Sequence, residues 1–108
     1  MKELTREQLQ EKINSGLNLT IVEVLPEGSF KEVHLPKAVN VPLNDRFEVN
    51  IRSVVPDKNT PVVVYCANEQ CPASEEAAKK MEELGYKLVY DYKEGKKDWQ
   101  KAGLPTES

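Results

Sequence analysis

The segment Pro61 to Tyr65 constrains the fold of this 108-residue chain more than any other segment. After the proline it reads Val-Val-Val-Tyr, with no polar residue among the apolar ones. Such an unbroken run is typical of a strand that is buried on both faces of a parallel sheet. Parallel strands are joined by long crossover connections, most often helices, which cover the two faces. The segment therefore predicts an α/β fold, in which a parallel sheet carries helices on both faces.

Strands and helices are predicted to alternate along the rest of the chain. Thr5 and Gln8 have the spacing of a capping box, so we expect the first element to be a helix that stops at Ser15-Gly16. Another helix is expected to start at Pro72, whose missing N–H suits the first helical position, and to end at Gly85. The remaining predicted elements are strands at 20–25, 38–41 and 88–92, a helical turn at 29–33, a helix or irregular crossover at 43–54, and a final helix at 96–102.

Length and charge exclude several classes of protein. We expect a single domain, residues 1–108, because this length can bury one core without disulfides or metals. The net charge is −3, and Lys and Glu are interleaved along the chain without a basic stripe that could bind nucleic acid. The longest apolar run is too short to span a membrane. Met1 to Thr5 lack the pattern of a secretory signal, so we expect a cytoplasmic protein whose two cysteines are reduced.

Cys66 is the candidate nucleophile. It follows the strand at 61–65 directly and opens a six-residue turn that ends at Cys71, just before the helix. Unpaired N–H groups and the positive end of the helix dipole favour thiolate over thiol at such a position. The alternative is an inert, half-buried cysteine of the core. Cys71 also has two interpretations, a helix-start residue that faces the core or a second reactive thiol.

Four segments, in order and with matching spacing, resemble the motifs of the rhodanese-like family. The family has an Asp-Val-Arg-like first strand, a His-Ile-Pro-Gly-Ala-x-Asn-Ile-Pro signature, a strand that delivers a catalytic cysteine, and a terminal Gly-x-x-x-Trp-x-x-Ala-Gly-x-Pro. The corresponding segments here are Ile21-Val22-Glu23-Val24, His34-Leu35-Pro36-Lys37-Ala38-Val39-Asn40-Val41-Pro42, Val63-Val64-Tyr65-Cys66 and Gly95-Lys96-Lys97-Asp98-Trp99-Gln100-Lys101-Ala102-Gly103-Leu104-Pro105. The resemblance covers nearly the whole chain and implies a rhodanese-like α/β fold with a central five-stranded parallel sheet.

The resemblance also implies a function, the transfer of sulfur. A cysteine of the family carries a sulfane sulfur as a persulfide, and the corresponding residue here is Cys66. The active-site loop corresponds to Ala67, Asn68, Glu69 and Gln70. The backbone amides of residues 67 to 71 are expected to surround the sulfur anion. Cys71 is then either a core-facing residue or a resolving thiol that releases hydrosulfide and leaves a Cys66–Cys71 disulfide.

The implied partners are a sulfur donor, an acceptor and no cofactor. The donor is a polysulfide, a persulfide or thiosulfate, the acceptor is a thiol or cyanide, and a protein of a sulfur relay can serve as either. Common members of the family carry Arg, Gly and Ser in the loop, whereas residues 67–70 offer no cation and one anion, Glu69. We therefore expect weak activity with anionic thiosulfate. Pro72 stands where related phosphatases have a phosphate-binding arginine, so phosphatase or arsenate reductase chemistry is not expected.

Other positions carry predictions about structure. Glu23 and Leu25 replace the usual Asp and Arg, so the buried ion pair of the family is expected to be absent or rerouted. His34, the only histidine, corresponds to a mainly structural residue. Asn68 and Ser74 are expected to cap the loop and the first helical turn. Two cysteines and one distant histidine lack the spacing of a zinc site, so no metal site is predicted.

Two rival functions stay open at this point. One is a non-catalytic rhodanese-fold module that binds a protein or senses redox state, which the missing loop arginine favours and the presence of Cys66 in the turn opposes. The other is a dithiol oxidoreductase that cycles a Cys66–Cys71 bond. Four intervening residues make that chemistry less natural than the usual two.

Overall fold

Strands and helices alternate through all 108 residues, which are described by a computed structural model. The elements are β1 Lys2–Glu3, α1 Arg6–Asn14, β2 Thr20–Glu23, α2 Glu27–Glu32, β3 Val39–Asn40, α3 Phe47–Val54, β4 Val62–Tyr65, α4 Ala73–Glu83, β5 Val89–Tyr92 and α5 Gly95–Lys101. The five strands form one sheet in the order β1-β5-β4-β2-β3. Every strand pair is parallel, so the predicted α/β fold with a five-stranded parallel sheet is confirmed.

The sheet is covered on both faces, as the apolar β4 predicted. All four residues of β4 are fully buried. Val62 and Val64 face a core cluster that includes residues of α3 and α4, whereas Val63 and Tyr65 face a second cluster with residues of α1 and α5. Because neither face of the central strand contacts water, polar alternation in this segment would have been costly.

The first predicted helix has the expected cap. The Thr5 side chain accepts a hydrogen bond from the Gln8 N–H at 3.2 Å, and the Gln8 side chain accepts one from the Thr5 N–H at 2.9 Å. The prediction that this helix is the first element is wrong, because β1 precedes it and pairs with β5. β1 has only two residues, both exposed and charged, so no apolar pattern marks it. Its position as an edge strand allows this composition.

Element boundaries elsewhere differ by a few residues. The helical turn expected at 29–33 is α2, which begins at Glu27. The uncertain crossover at 43–54 contains α3, which begins at Phe47. Pro72 lies immediately before α4, and its carbonyl accepts a hydrogen bond from the Glu76 N–H at 3.1 Å. None of the helices has the length and apolar character needed to cross a membrane.

Candidate active site

Cys66 lies at the carboxyl end of β4, where the chain leaves the sheet toward α4. Its thiol is free and has no exposed surface. The Sγ atom donates a weak hydrogen bond to the Cys71 carbonyl at 3.4 Å and belongs to the core cluster beneath α4. The predicted position at the strand-to-helix turn is therefore confirmed, but the thiol is more deeply enclosed than the sequence indicated.

The pKa of the Cys66 thiol is shifted in the direction opposite to the one predicted from the position at the start of a helix. Burial raises the pKa of the thiol to about 11, and the adjacent Cys71 side chain raises it as well. The hydroxyl and the amide of Ser74 act in the opposite direction and lower it. The desolvation of a fully enclosed sulfur outweighs the donors at the helix start. The resting form of Cys66 near pH 7 is the thiol and not the predicted thiolate.

Asn68 shapes the turn between β4 and α4. Its side-chain oxygen accepts a hydrogen bond from the Gln70 N–H at 3.1 Å, and its carbonyl accepts one from the Cys71 N–H at 3.1 Å. The predicted capping role of Asn68 is thus confirmed. The sequence predicted that the backbone amides of residues 67 to 71 surround the sulfur anion. The bonds to Asn68 already occupy two of these amides, those of Gln70 and Cys71, and use them to hold the turn.

The start of α5 supports the loop from the other side. The Lys96 and Lys97 N–H groups donate hydrogen bonds to the Cys66 and Ala67 carbonyls, each at 2.9 Å. Gly95 has φ +72°, and a Cβ atom there would lie 2.6 Å from the Cys66 carbonyl oxygen. Only glycine allows this close approach of two backbones. Sequence reasoning did not assign Gly95 to the site, although it opens the terminal motif that ends at Pro105.

The buried ion pair is rerouted, which is one of the two outcomes predicted for it. The Lys96 ammonium donates to a Glu23 carboxylate oxygen at 3.0 Å, and the Tyr65 hydroxyl donates to the other at 2.8 Å. The remaining Lys96 bonds go to the Ser29 and Val33 carbonyls, at 3.0 and 2.7 Å. One residue of α5 therefore joins the sheet and the end of α2 through its side chain and the Cys66 loop through its backbone.

Cys71 and His34 occupy different surroundings. Cys71 is half-buried, is a free thiol and packs against the same core cluster as Cys66. His34 stacks on Phe30 with ring centroids 3.7 Å apart, and its Nδ1 atom lies 2.8 Å from the Phe30 carbonyl. Its backbone pairs with Glu107. These contacts lie within the packing around the carboxyl-terminal segment, which supports the structural interpretation of His34.

A pocket of about 220 Å³ lies beside the loop and is lined by polar and charged residues alone. Glu69 of the loop meets Glu94 and Asp98 there. Burial and the neighbouring Asp98 carboxylate raise the pKa of Glu94. Lys97 and Lys101 of α5 also line the pocket, so cations are present although the loop itself has none. The acidic groups still outnumber the basic ones.

The fold and the site together define an α/β domain built around a cysteine at the carboxyl end of its central parallel strand. The family model of the rhodanese-like domain matches residues 5–102, and the chain belongs to that family. The resemblance inferred from the four motifs is thereby confirmed.

Comparisons with individual proteins agree with this family. The chain is 29% identical over 97 residues to "Putative sulfur carrier protein YrkF" of Bacillus subtilis, which covers 90% of this chain and 50% of that protein. It is 26% identical over 104 residues to "HTH-type transcriptional regulator Rv0324" of Mycobacterium tuberculosis, which covers 96% of this chain and 44% of that protein. The chain thus spans about half the length of these two relatives.

Solved structures share the fold at low identity. The BH2092 protein of Bacillus halodurans superposes with a TM-score of 0.85 and 24% identity, over 99% of this chain and 77% of that one. A thiosulfate sulfurtransferase of Pseudomonas aeruginosa superposes with a TM-score of 0.86 and 20% identity, over 99% of this chain and 20% of that one. At these identities the likeness demonstrates the architecture and leaves the chemistry to the residues of this chain.

Proposed function

We propose that this chain is a sulfurtransferase that carries a sulfane sulfur as a persulfide on Cys66. The observation that carries the proposal is the position of Cys66 at the end of β4, in a turn that Asn68 and the start of α5 hold in place. Membership of the rhodanese-like family and the likeness to a protein named as a sulfur carrier support sulfur transfer as the class of function.

The reaction consists of two displacements at sulfur. The Cys66 thiolate attacks the outer sulfur of a donor R–S–S⁻. A new S–S bond forms on Cys66 while the S–S bond of the donor breaks, and the leaving R–S⁻ takes up a proton to become a thiol. An acceptor thiolate or cyanide then attacks the outer sulfur of the Cys66 persulfide. That step forms the acceptor persulfide or thiocyanate and returns the Cys66 thiolate. No cofactor takes part in either displacement.

Charge at the rim of the site favours donors other than thiosulfate. Glu69, Glu94 and Asp98 lie beside the loop against two lysines, so a doubly charged thiosulfate meets net repulsion. A polysulfide, a small persulfide or the persulfide of a partner protein is the better donor. Such a relay partner and a cytoplasmic setting, in which both cysteines stay reduced, belong to this proposal.

Cys71 is the resolving thiol in this proposal. Its carbonyl oxygen lies 3.4 Å from the Cys66 Sγ atom, and the Cys71 thiol is more exposed than that of Cys66. A Cys71 thiolate that attacks the Cys66 sulfur forms a Cys66–Cys71 disulfide and expels hydrosulfide. Reduction of the disulfide by a cellular dithiol would restore both thiols.

The complete burial of Cys66 favours one rival function. A thiol with no exposed surface and a raised pKa suits a non-catalytic module that binds a partner protein or senses redox state. The two functions differ in whether sulfur is ever bound to Cys66.

Intact mass spectrometry separates these functions. The reduced wild type, Cys66→Ser and Cys71→Ser proteins are each exposed briefly to inorganic polysulfide and, separately, to thiosulfate. We expect Cys71→Ser to gain about 32 Da, one sulfur, that cyanide removes, and Cys66→Ser to gain none. If the wild type loses two hydrogens while Cys71→Ser keeps the added sulfur, Cys71 is the resolving thiol. Failure of every form to take up sulfur from either donor would refute the sulfurtransferase proposal in favour of the binding module.

A further inference from the structure

A second pocket lies beside the Cys66 loop, in addition to the acidic pocket that Glu69 and Glu94 line. Its volume is about 380 Å³, and it lies between the end of α2, the loop and α5, so we call it the α2–α5 pocket. Asn68 and Lys97 line both pockets. None of the carboxylates of the acidic pocket lines the second one. A small molecule therefore has two approaches to the loop, which differ in charge.

One wall of the α2–α5 pocket is apolar. It consists of Leu25, Val33 and Ala67, all of them half-buried. Leu25 replaces the usual arginine of the family, so this departure adds apolar surface where a cation would have been. The acidic pocket has no hydrophobic residue in its lining. Small-molecule sites combine apolar walls with a few polar groups, and the α2–α5 pocket has that composition.

Hydrogen bonds hold the walls of the pocket together. The Lys96 ammonium donates to the Ser29 and Val33 carbonyls at 3.0 and 2.7 Å, and both of these residues line the pocket. The Lys97 N–H donates to the Ala67 carbonyl at 2.9 Å. The end of α2 and the loop are thus both tied to α5. A pocket with fixed walls loses little conformational freedom when a ligand binds, which favours affinity.

Three polar side chains of the pocket have no partner in the protein. The Glu32 carboxylate, the Lys97 ammonium and the Gln100 amide are exposed, and none of them forms a hydrogen bond or an ion pair. The Lys96 ammonium differs, because it is paired with Glu23 at 3.0 Å. The pocket thus offers a ligand one free anion, one free cation and one neutral amide. These groups complement a small molecule that carries one ammonium and one carboxylate.

We propose that the α2–α5 pocket binds the small thiol that accepts sulfur from Cys66, and that this thiol is an amino acid such as cysteine. Its ammonium pairs with Glu32, its carboxylate pairs with Lys97, and its carbon skeleton packs on the apolar wall. This inference rests on the proposed function, because it names the class of acceptor for that reaction. Exchange at sulfur is reversible, so the persulfide of the same amino acid is a donor at the same pocket.

The transfer is one displacement at sulfur. The acceptor thiolate attacks the outer sulfur of the Cys66 persulfide and forms a new S–S bond, while the S–S bond to Cys66 breaks. The products are the amino-acid persulfide and the Cys66 thiolate, so atoms and charge balance without a further reactant. Cys66 has no exposed surface and does not line the pocket. Residues 67 and 68 must therefore shift to bring the outer sulfur to the acceptor.

Binding is tested first with probes that cannot react. S-methylcysteine has both charges but no thiol, whereas S-methylcysteamine lacks the carboxylate and methylthiopropionate lacks the ammonium. Each probe is titrated and followed by the NMR shifts of the backbone amides, and we expect the amides of Val33, Ala67 and Gln100 to respond. Loss of either charge from the probe should weaken binding about two- to fivefold, the range of an exposed ion pair. Equal affinity for the three probes, or no response at these amides, overturns the proposal.

Two variants assign the charges. Lys97→Met should weaken the binding of S-methylcysteine and methylthiopropionate about two- to fivefold, but not that of S-methylcysteamine. Glu32→Gln should weaken the binding of S-methylcysteine and S-methylcysteamine, but not that of methylthiopropionate. Lys101→Met is the matched control, because Lys101 lies on the same helix and lines the acidic pocket but not this one. If Lys101→Met weakens binding as much as Lys97→Met does, the assignment is wrong. All three side chains are exposed, so the variants should fold normally.

Sulfur transfer is measured in the Cys71→Ser protein after loading with inorganic polysulfide. The acceptors are cysteine, cysteamine and mercaptopropionate, and each rate in a variant is divided by the rate of the same acceptor without that substitution. This ratio cancels the intrinsic nucleophilicity of the thiol. Lys97→Met should slow transfer to cysteine and mercaptopropionate about two- to fivefold, and Glu32→Gln should slow transfer to cysteine and cysteamine. Ratios that are equal for the three acceptors overturn the role of the pocket in transfer.

The two measurements separate this inference from the proposed function. If Cys66 takes up sulfur but S-methylcysteine does not bind at the pocket, the sulfurtransferase proposal stands and the acceptor pocket is refuted. If S-methylcysteine binds as expected but Cys66 takes up no sulfur, the pocket stands as an amino-acid site, and both the sulfurtransferase proposal and the acceptor role fall.

Discussion

Replacement of Lys96 by methionine is expected to destabilise the protein strongly. The Glu23 carboxylate has no exposed surface, and the variant would leave it with one donor, the Tyr65 hydroxyl at 2.8 Å. Removal of one partner of a buried ion pair costs about 3–5 kcal/mol, because the other charge stays buried without compensation. That is a large share of the roughly 5–15 kcal/mol by which a domain is stable.

The double variant Glu23→Gln/Lys96→Met tests the cause of this loss. Glutamine carries no charge and can still accept the Tyr65 hydrogen bond, so the double variant should recover most of the stability that Lys96→Met loses. Lys97→Met is the control for the loss of a lysine at the start of α5, because Lys97 is exposed. We expect it to change the free energy of unfolding by less than about 0.5 kcal/mol.

Urea unfolding followed by the fluorescence of Trp99, the single tryptophan, provides the assay. Trp99 is 3% exposed in the folded chain, so unfolding changes its surroundings. The reasoning is refuted if Lys96→Met loses less than about 1 kcal/mol, or if the double variant is no more stable than Lys96→Met.

Three further predictions concern the loop, pH and charge. Gly95→Ala should displace the Cys66 loop and lower sulfur loading several-fold. The control is Gly103→Ala, because Gly103 has the same φ of +72° but open space around its Cβ position, so that substitution should cost only the backbone strain of about 1–3 kcal/mol. Equal sulfur loading in the two variants contradicts this prediction. Asp91→Asn should stabilise the folded protein near pH 7 but not near pH 3. Burial raises the pKa of the Asp91 carboxyl in the folded state, so its ionisation makes the folded protein less stable as the pH rises toward that pKa. Denaturant titrations at the two pH values check the sign. Glu69→Gln should speed sulfur loading from doubly charged thiosulfate at low salt more than loading from a singly charged small persulfide, and an equal effect on both donors would exclude charge repulsion as the cause.

Local patterns were sufficient for most of the elements. The capping box at Thr5 and the apolar run of β4 each predicted a structure that the fold contains, because both depend on residues close together in the chain. β1 escaped detection because it consists of two charged residues and exists only through its pairing with β5. The length of a strand that short is decided by its partner and not by its own side chains.

The parts of the site that come from α5 were also out of reach. Gly95 and Lys96 lie about thirty residues beyond Cys66, and nothing local shows that one approaches its carbonyl while the other bonds to Glu23. Recognition of the family motifs identified the segment that contains both residues but not their contacts. The position of the rerouted ion pair follows from the way α5 packs against the sheet.

The sequence by itself determined the architecture and the position of Cys66, because strand burial, helix capping and the turn at 66–71 are encoded by neighbouring residues. Only the tertiary structure decided the state of that cysteine. The pKa of a thiol depends on the water that other segments remove and on the groups they bring near it, here Cys71 at the end of the turn and Ser74 of α4. Enclosure by these elements raises the pKa that the helix start was expected to lower.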